Sequence, residues 1–306
     1  MQTNEWLFVA PQIQKTLAAR KAVVALESTI IAHGLPYPEN LEVARECERL
    51  IKENGAAPAT VGVVGGRLVV GLSDAEIERL AREPNVAKAN LSNLAPVIAG
   101  GGLGATSVST TIRAASLAGI KVFVTGGIGG VHRGFAESFD ISSDLTALES
   151  HSVLVVSAGA KAILDVRATL EQLETRGVPV IGYKTDCFPL FYTVSSPYRV
   201  DGRVESPEEA ARVFRCHRAI FPQRGMLLAN PIPKSAEIPA DEINAAIERA
   251  QSQIASAGLK HGREVTPFLL AEIERQTGGR SLAANLALIK NNAVLGALVA
   301  RAIEEI

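Results

Sequence analysis

Short apolar runs and amphipathic stretches alternate along most of the chain. Residues 22–26, Ala-Val-Val-Ala-Leu, form an apolar run between Lys21 and Glu27, which predicts a buried strand. Across residues 38–54, Leu41, Ala44, Cys47 and Ile51 recur at helical spacing. Residues 59–72 read as two β-rich runs about Gly65-Gly66, a hairpin. Ser73 followed three residues later by Glu76 predicts a capping box that opens the next helix.

From residue 95 the rhythm becomes strand, turn, helix. "PVIAGGG" predicts a strand running into the helical "ATSVSTTIRAASLAG", and "KVFVTGG" a further strand. Val153–Val156 reads as a buried strand, Ser157–Ala160 as a turn of small residues, and Lys161 as the opening of a helix. "VPVIGY" and "GMLLANP" add strands. Three long helical patterns follow, the last from Ser281 to Ile306 with apolar positions along one face. Strands joined by crossover helices predict an α/β fold, a three-layer α/β/α arrangement with a largely parallel central sheet. No repeat and no linker rich in Pro, Ser or charge divides the chain, so one domain is expected over 1–306, with 1–20 as an N-terminal extension.

Composition narrows the partners. With 47% hydrophobic and 21% charged residues the chain can bury a sizeable core, and a net charge of -1 offers no electrostatic case for nucleic acid or an anionic membrane. Cys47, Cys187 and Cys216 are far apart and suit reduced thiols. The N-terminus lacks the basic and apolar segments of a signal peptide, and no apolar run approaches a membrane span. The expectation is a soluble cytoplasmic protein.

Ligand sites in such folds gather where strands end and helices begin. Four segments fall there: "ESTIIAHG", "GGGLGATS", "GGIGGVHRG" and "AGAKA". Gly100, Gly102 and Ala105 match a dinucleotide fingerprint, but the next strand ends in Thr125-Gly126 and not in a ribose-binding acid. A phosphate cradle with Thr106 and Ser107, or a tight turn that needs glycine, both remain open. His132 and Arg133 suit an anion. Asp140, Ser142 and Asp144 offer hard oxygen ligands, whereas Ser142 or Ser143 also suits the N-cap of a short helix. Glu27, directly after an apolar strand, is either an acid of raised pKa or the partner of a buried cation. Lys88 reads as a surface lysine on spacing alone, and Asn285 as an amide that faces a partner among apolar neighbours. Lys161 is either a desolvated nucleophilic amine, helped by a helix N-terminus, or a lysine reaching to solvent.

These segments also carry a resemblance. "ALESTIIAHGLPYPENLEVA", "GGIGGVHRG", "FDISSDL", "AGAKAILD", "GVPVIGY", "ANPIP", "VTPFLLAEI" and "TGGRSLAANLALIKNNAVLGA" occur in family order between about residues 20 and 302. On them the chain is identified as a member of the pseudouridine-5'-phosphate glycosidases, the group with the indigoidine-synthase-A-like proteins. The resemblance implies reversible cleavage of pseudouridine 5'-phosphate to uracil and ribose 5-phosphate, one Mn2+ per subunit and a homotrimer. It implies Lys161 as Schiff-base nucleophile, Glu27 as proton donor and Asp140 as metal ligand. Lys88, Val108, Ser142, Ser143, Asp144 and Asn285 match substrate contacts, and His132 a phosphate or substrate contact. Gly102-Leu103, Ser107 and Phe135 depart from the family pattern, which bears on phosphate affinity and substrate preference. Two rivals share part of this set: a class I aldolase-like Schiff-base enzyme on another sugar phosphate, and a non-catalytic nucleotide-binding protein.

Overall fold

The computed structural model describes residues 5–253 and 262–306. The chain begins with β1 (Leu7–Val9), α1 (Pro11–Ala18), β2 (Val23–Leu26), a π-helical turn at Ile30–Gly34, and α2 (Glu39–Glu53). The hairpin β3 (Ala57–Val64) and β4 (Arg67–Val70) precedes α3 (Asp74–Arg82), β5 (Ala87–Ala89), α4 (Leu94–Ala99), β6 (Gly104–Thr106) and α5 (Val108–Ala118). Then come β7 (Val122–Val124), β8 (Val131–His132), α6 (Phe135–Ser138), α7 (Ser143–Ser150), β9 (Leu154–Ser157), β10 (Leu164–Asp165) and α8 (Val166–Thr175). The last part holds β11 (Val180–Tyr183), β12 (Gly202–Val204), α9 (Pro207–Ile220), β13 (Met226–Ala229), α10 (Ala240–Ser252), α11 (Gly262–Gln276) and α12 (Arg280–Glu305).

One sheet organises the molecule, in the order β1-β4-β3-β2-β7-β9-β13-β11-β12, with β6 added to β3 and β5 to β6. From β3 to β12 every neighbouring pair is parallel, and only the β3–β4 and β3–β6 pairs run antiparallel. Strands β2, β9 and β13 are buried along their whole length, as a sheet covered on both faces requires. The apolar stripe of α12 lies on β2, β7 and β9 beside α2 and α9, while α5 packs on β2, β4, β6 and β7 and carries α7 against it. A methyl at Gly296 would overlap Val124, so glycine is what lets α12 approach β7 closely. By length and composition α12 is the one helix among the described residues that could cross a membrane, and half of its apolar window is buried inside this fold.

Three expectations change. Residues 94–99 are a helix, not a strand: Pro96 lies in the first turn, where its missing N–H costs nothing, but would interrupt a ladder. Lys161 does not open a helix. Its N–H donates to the Ile128 carbonyl at 3.0 Å, and helix α8 starts only at Val166, after Asp165 caps it by accepting from Ala168 N–H. The helix-dipole argument for Lys161 therefore falls away. Within the N-terminal extension, residues 1–4 lie outside the described residues, but β1 adds in parallel to β4 (Leu7 opposite Leu68) and is part of the sheet.

Candidate active site

The chain leaves β2 for β3 on one side, whereas β7 lies on the other, so the strand order switches direction between β2 and β7. That is where open α/β sheets form their ligand crevices. Glu27 follows β2 and Thr125 follows β7, and the Thr125 hydroxyl donates to Glu27 Oε1 across the switch point. Buried amides hold the Thr125 side of this bridge. Asn292 on α12 donates to the Thr125 carbonyl at 2.9 Å, and Asn230 after β13 donates to Asn292 Oδ1 at 2.9 Å.

The glycine loop after β7 is fixed from below. Asp144, only 5% exposed, accepts from Ser109 N–H at the start of α5 (2.9 Å) and from Gly129 N–H (2.7 Å). A methyl at Gly129 would overlap both Ser142 and Asp144, so the close approach demands glycine there. Ser142 caps α7 by accepting from Asp144 N–H, and Ser143 donates to Ser109 Oγ at 3.0 Å. One carboxylate thus joins α5, α7 and the loop. Asp144→Ala should leave two buried N–H groups unpaired and cost about 2–4 kcal/mol, read from the midpoint of urea unfolding.

Above this clamp opens a cavity of about 910 Å3. Glu27, Lys88, His132, Asp140 and Lys161 face it, with Ser142, Ser143 and Asp144 at one end and Ser107 and Val108 beside them. Lys88 lies half-buried on β5 and not on an open surface, a correction to its reading from spacing. Of the four strand-end segments, three deliver their predicted side chain here. The fourth contributes Ser107 and Val108, while Gly100–Gly102 stay exposed at the end of α4, outside the walls. Asn285 is absent from the cavity walls; its Oδ1 lies against Gly126.

Electrostatics separate the roles. Burial pushes the Glu27 carboxyl above its ordinary value, opposed by the Lys161 ammonium, the Thr125 hydrogen bond and Lys88. Burial lowers His132 and outweighs Asp140, whose Oδ2 stands 3.9 Å from Nδ1, so this imidazole favours the neutral form. Among the described residues no three His, Cys, Asp or Glu side chains converge on one point. Among the described residues Asp140 lines the cavity with a partly exposed carboxylate, a hard oxygen donor of the kind a divalent ion takes.

Sequence reasoning missed several walls. Thr29, Asn90 and Ser92 line the cavity, and Phe139 stands at its rim, 76% exposed, with φ +54° and its ring edge-on to Phe135. Thr125 carried one available signal: a hydroxyl residue at a strand end, at the position inspected for an acid. Asn230 and Asn292 carried none, because a buried amide pair has no local pattern.

Residues 12–302 match the family described as indigoidine synthase A like protein. Pseudouridine-5'-phosphate glycosidase of Deinococcus radiodurans is 50% identical, covering 97% of this chain and 95% of its own. That of Symbiobacterium thermophilum is 48% identical, with 97% and 98% covered. The prealnumycin C-glycosynthase AlnA, solved in complex with ribulose 5-phosphate, superposes with a TM-score of 0.91 at 38% identity over 99% of this chain and 98% of its own. An indigoidine synthase A-like protein from Thermotoga maritima superposes with a TM-score of 0.90 at 37% identity over 99% of each chain.

Proposed function

The chain belongs to the indigoidine synthase A-like family, and on that premise we propose that it is a pseudouridine-5'-phosphate glycosidase, splitting its substrate reversibly into uracil and ribose 5-phosphate. The observation that carries this reading is the meeting of a lysine amine and a buried carboxylic acid in one large cavity.

The substrate joins C1' of ribose to C5 of uracil through carbon, so no glycosidic oxygen or nitrogen is available to protonate, unlike in glycosidases that work with two carboxylates. Lys161 supplies an electron sink instead. Its amine nitrogen bonds to C1' as the C1'–O4' bond opens, and its proton passes to O4'. Glu27 gives its proton to C5. The nitrogen lone pair then forms a C=N bond while the C1'–C5 pair returns to the uracil ring. Water adds to C1' and gives one proton to the Glu27 carboxylate, the remaining hydroxyl proton passes to nitrogen as the C–N bond breaks, and ribose 5-phosphate leaves.

The N-terminus of α7, with Ser142 and Ser143, suits the 5'-phosphate, and His132 and Lys88 add donors. Asp140 would hold Mn2+ through one carboxylate and waters; the ion would supply charge neutralisation beside that phosphate. Asn285, which the family resemblance matches to the base-binding side, stands beside Gly126 outside the cavity walls and is assigned no contact here. A homotrimer and a cytoplasmic setting complete the reading, both by family resemblance. The C-glycosynthase activity in the name of one structural relative supports C–C bond chemistry on this scaffold.

The test is uracil release from pseudouridine 5'-phosphate by chelator-treated protein, with and without added Mn2+. Release that rises with Mn2+ is the expected result. No release in either condition would overturn the reading and favour a different sugar phosphate.

A further inference from the structure

Glu27 has a second side. Behind it, between β2, β3 and α2, lies a chamber of about 30 Å3, walled mostly by apolar side chains including Ile31, Val43 and Cys47. The chamber exceeds the roughly 10–15 Å3 that one water needs, and a water there requires polar partners. Two line it: Glu27 and the side chain of Thr60. Cys47, its thiol pushed by burial to about 12, stays protonated and leaves Glu27 as the titrating group on this wall.

Thr60 does not end the path. It sits on β3 opposite Leu26, the residue before Glu27, and is 1% exposed. Its hydroxyl donates at 2.7 Å to Glu48 Oε1 on α2. The Glu48 side chain is 18% exposed and lies 3.6 Å from Lys52 Nζ, so it reaches solvent on the face away from the large cavity. Neither Thr60 nor Glu48 lines that cavity.

We propose that the chamber water, the Thr60 hydroxyl and the Glu48 carboxylate form a rear proton path that joins Glu27 to solvent while substrate covers its front. The inference rests on the glycosidase reading of the front cavity. With Thr60 donating to Glu48, the chain carries a proton outward: one leaves Glu27 for the water, one leaves the water for Thr60, and the Thr60 proton passes to Glu48. Protonation of Glu48 from solvent reverses each donor and brings one proton in, with no other bond changed. Thr60 and Glu48 act through Glu27 and are positioning residues.

The experiment runs the full chain with Mn2+, uracil and ribose 5-phosphate in the synthetic direction, following two labels. One is tritium leaving C5 of uracil for water; the other is radiocarbon from the uracil ring entering pseudouridine 5'-phosphate. Each C-nucleotide that dissociates accounts for one tritium lost. At initial rates, before released product can rebind, a ratio of tritium lost to radiocarbon incorporated above unity therefore means that Glu27 exchanged with water while product was still bound. We expect such a ratio for the wild-type protein, and a fall toward unity in Thr60→Val and, independently, in Glu48→Gln, a change at a less buried site that tests the path if Thr60→Val does not fold. A merely structural role would slow both labels together and leave their ratio unchanged. A wild-type ratio of unity, or variants that keep the wild-type ratio, overturns the path alone. A wild-type protein that incorporates no radiocarbon overturns the path together with the glycosidase reading.

Discussion

On the proposed mechanism Lys161→Ala should abolish turnover in both directions, a loss on the order of 10⁴-fold or more, because it removes the group assigned to form the covalent intermediate. The fold should survive. The Lys161 N–H bond to the Ile128 carbonyl is backbone and remains with alanine, and a half-buried side chain without other structural duty shifts stability by only about 0.5 kcal/mol. The decisive measurement is borohydride reduction with ribose 5-phosphate followed by mass spectrometry. The wild-type chain should gain one reduced sugar phosphate on the peptide bearing Lys161, and the variant none. Near-native uracil release by the variant would remove Lys161 from the chemistry altogether.

Glu27→Gln has the second largest effect. Removing the acid should lower C–C cleavage by about 10²–10⁴-fold while the imine with ribose 5-phosphate still forms, because that step uses Lys161. Stability should move the other way. Burial raises the folded-state pKa of Glu27 above its unfolded value, so the folded state binds the extra proton. Wild-type stability therefore falls as pH rises from the ordinary carboxylate range through that raised value. Glutamine has no such dependence. The stability of wild type relative to variant should decline across that window, by thermal melting at a series of pH values. If Glu27 is the proton donor, the same ionisation should set an alkaline limb of cleavage. Unchanged cleavage in Glu27→Gln, or a melting difference flat with pH, would contradict the assignment.

The fold was legible where pattern and physics agree. Buried parallel strands such as Val153–Val156 and Met226–Ala229 appear as unbroken apolar runs, and the Ser73–Glu76 capping box needs no tertiary partner. The reading failed where tertiary contact decides. Residues 94–99 carry an apolar run compatible with helix or strand, and Lys161 looked like a helix start because the short β8–β10 pairing is invisible locally. Lys88 shows the same limit within the site, since spacing on a three-residue strand says nothing about which wall the strand faces. Lys161, Glu27 and Asp140 were found because they follow apolar strands or sit in costly glycine loops. Thr60 and Glu48 lie on elements that read as ordinary scaffold.

The placement of α12 has a consequence in time. This helix comes after every strand in the chain, yet its Asn292 holds the Thr125 carbonyl and its apolar stripe covers β2, β7 and β9. A ribosome making this protein therefore delivers Lys161 and Glu27 long before the helix that covers the strands they follow. Until α12 docks, β2, β7 and β9 lack the helix that covers them between α2 and α9, and such apolar surface invites chaperones and aggregation. Activity should switch on only once α12 has been made and docked, so products truncated before it would carry Lys161 and Glu27 and still be silent.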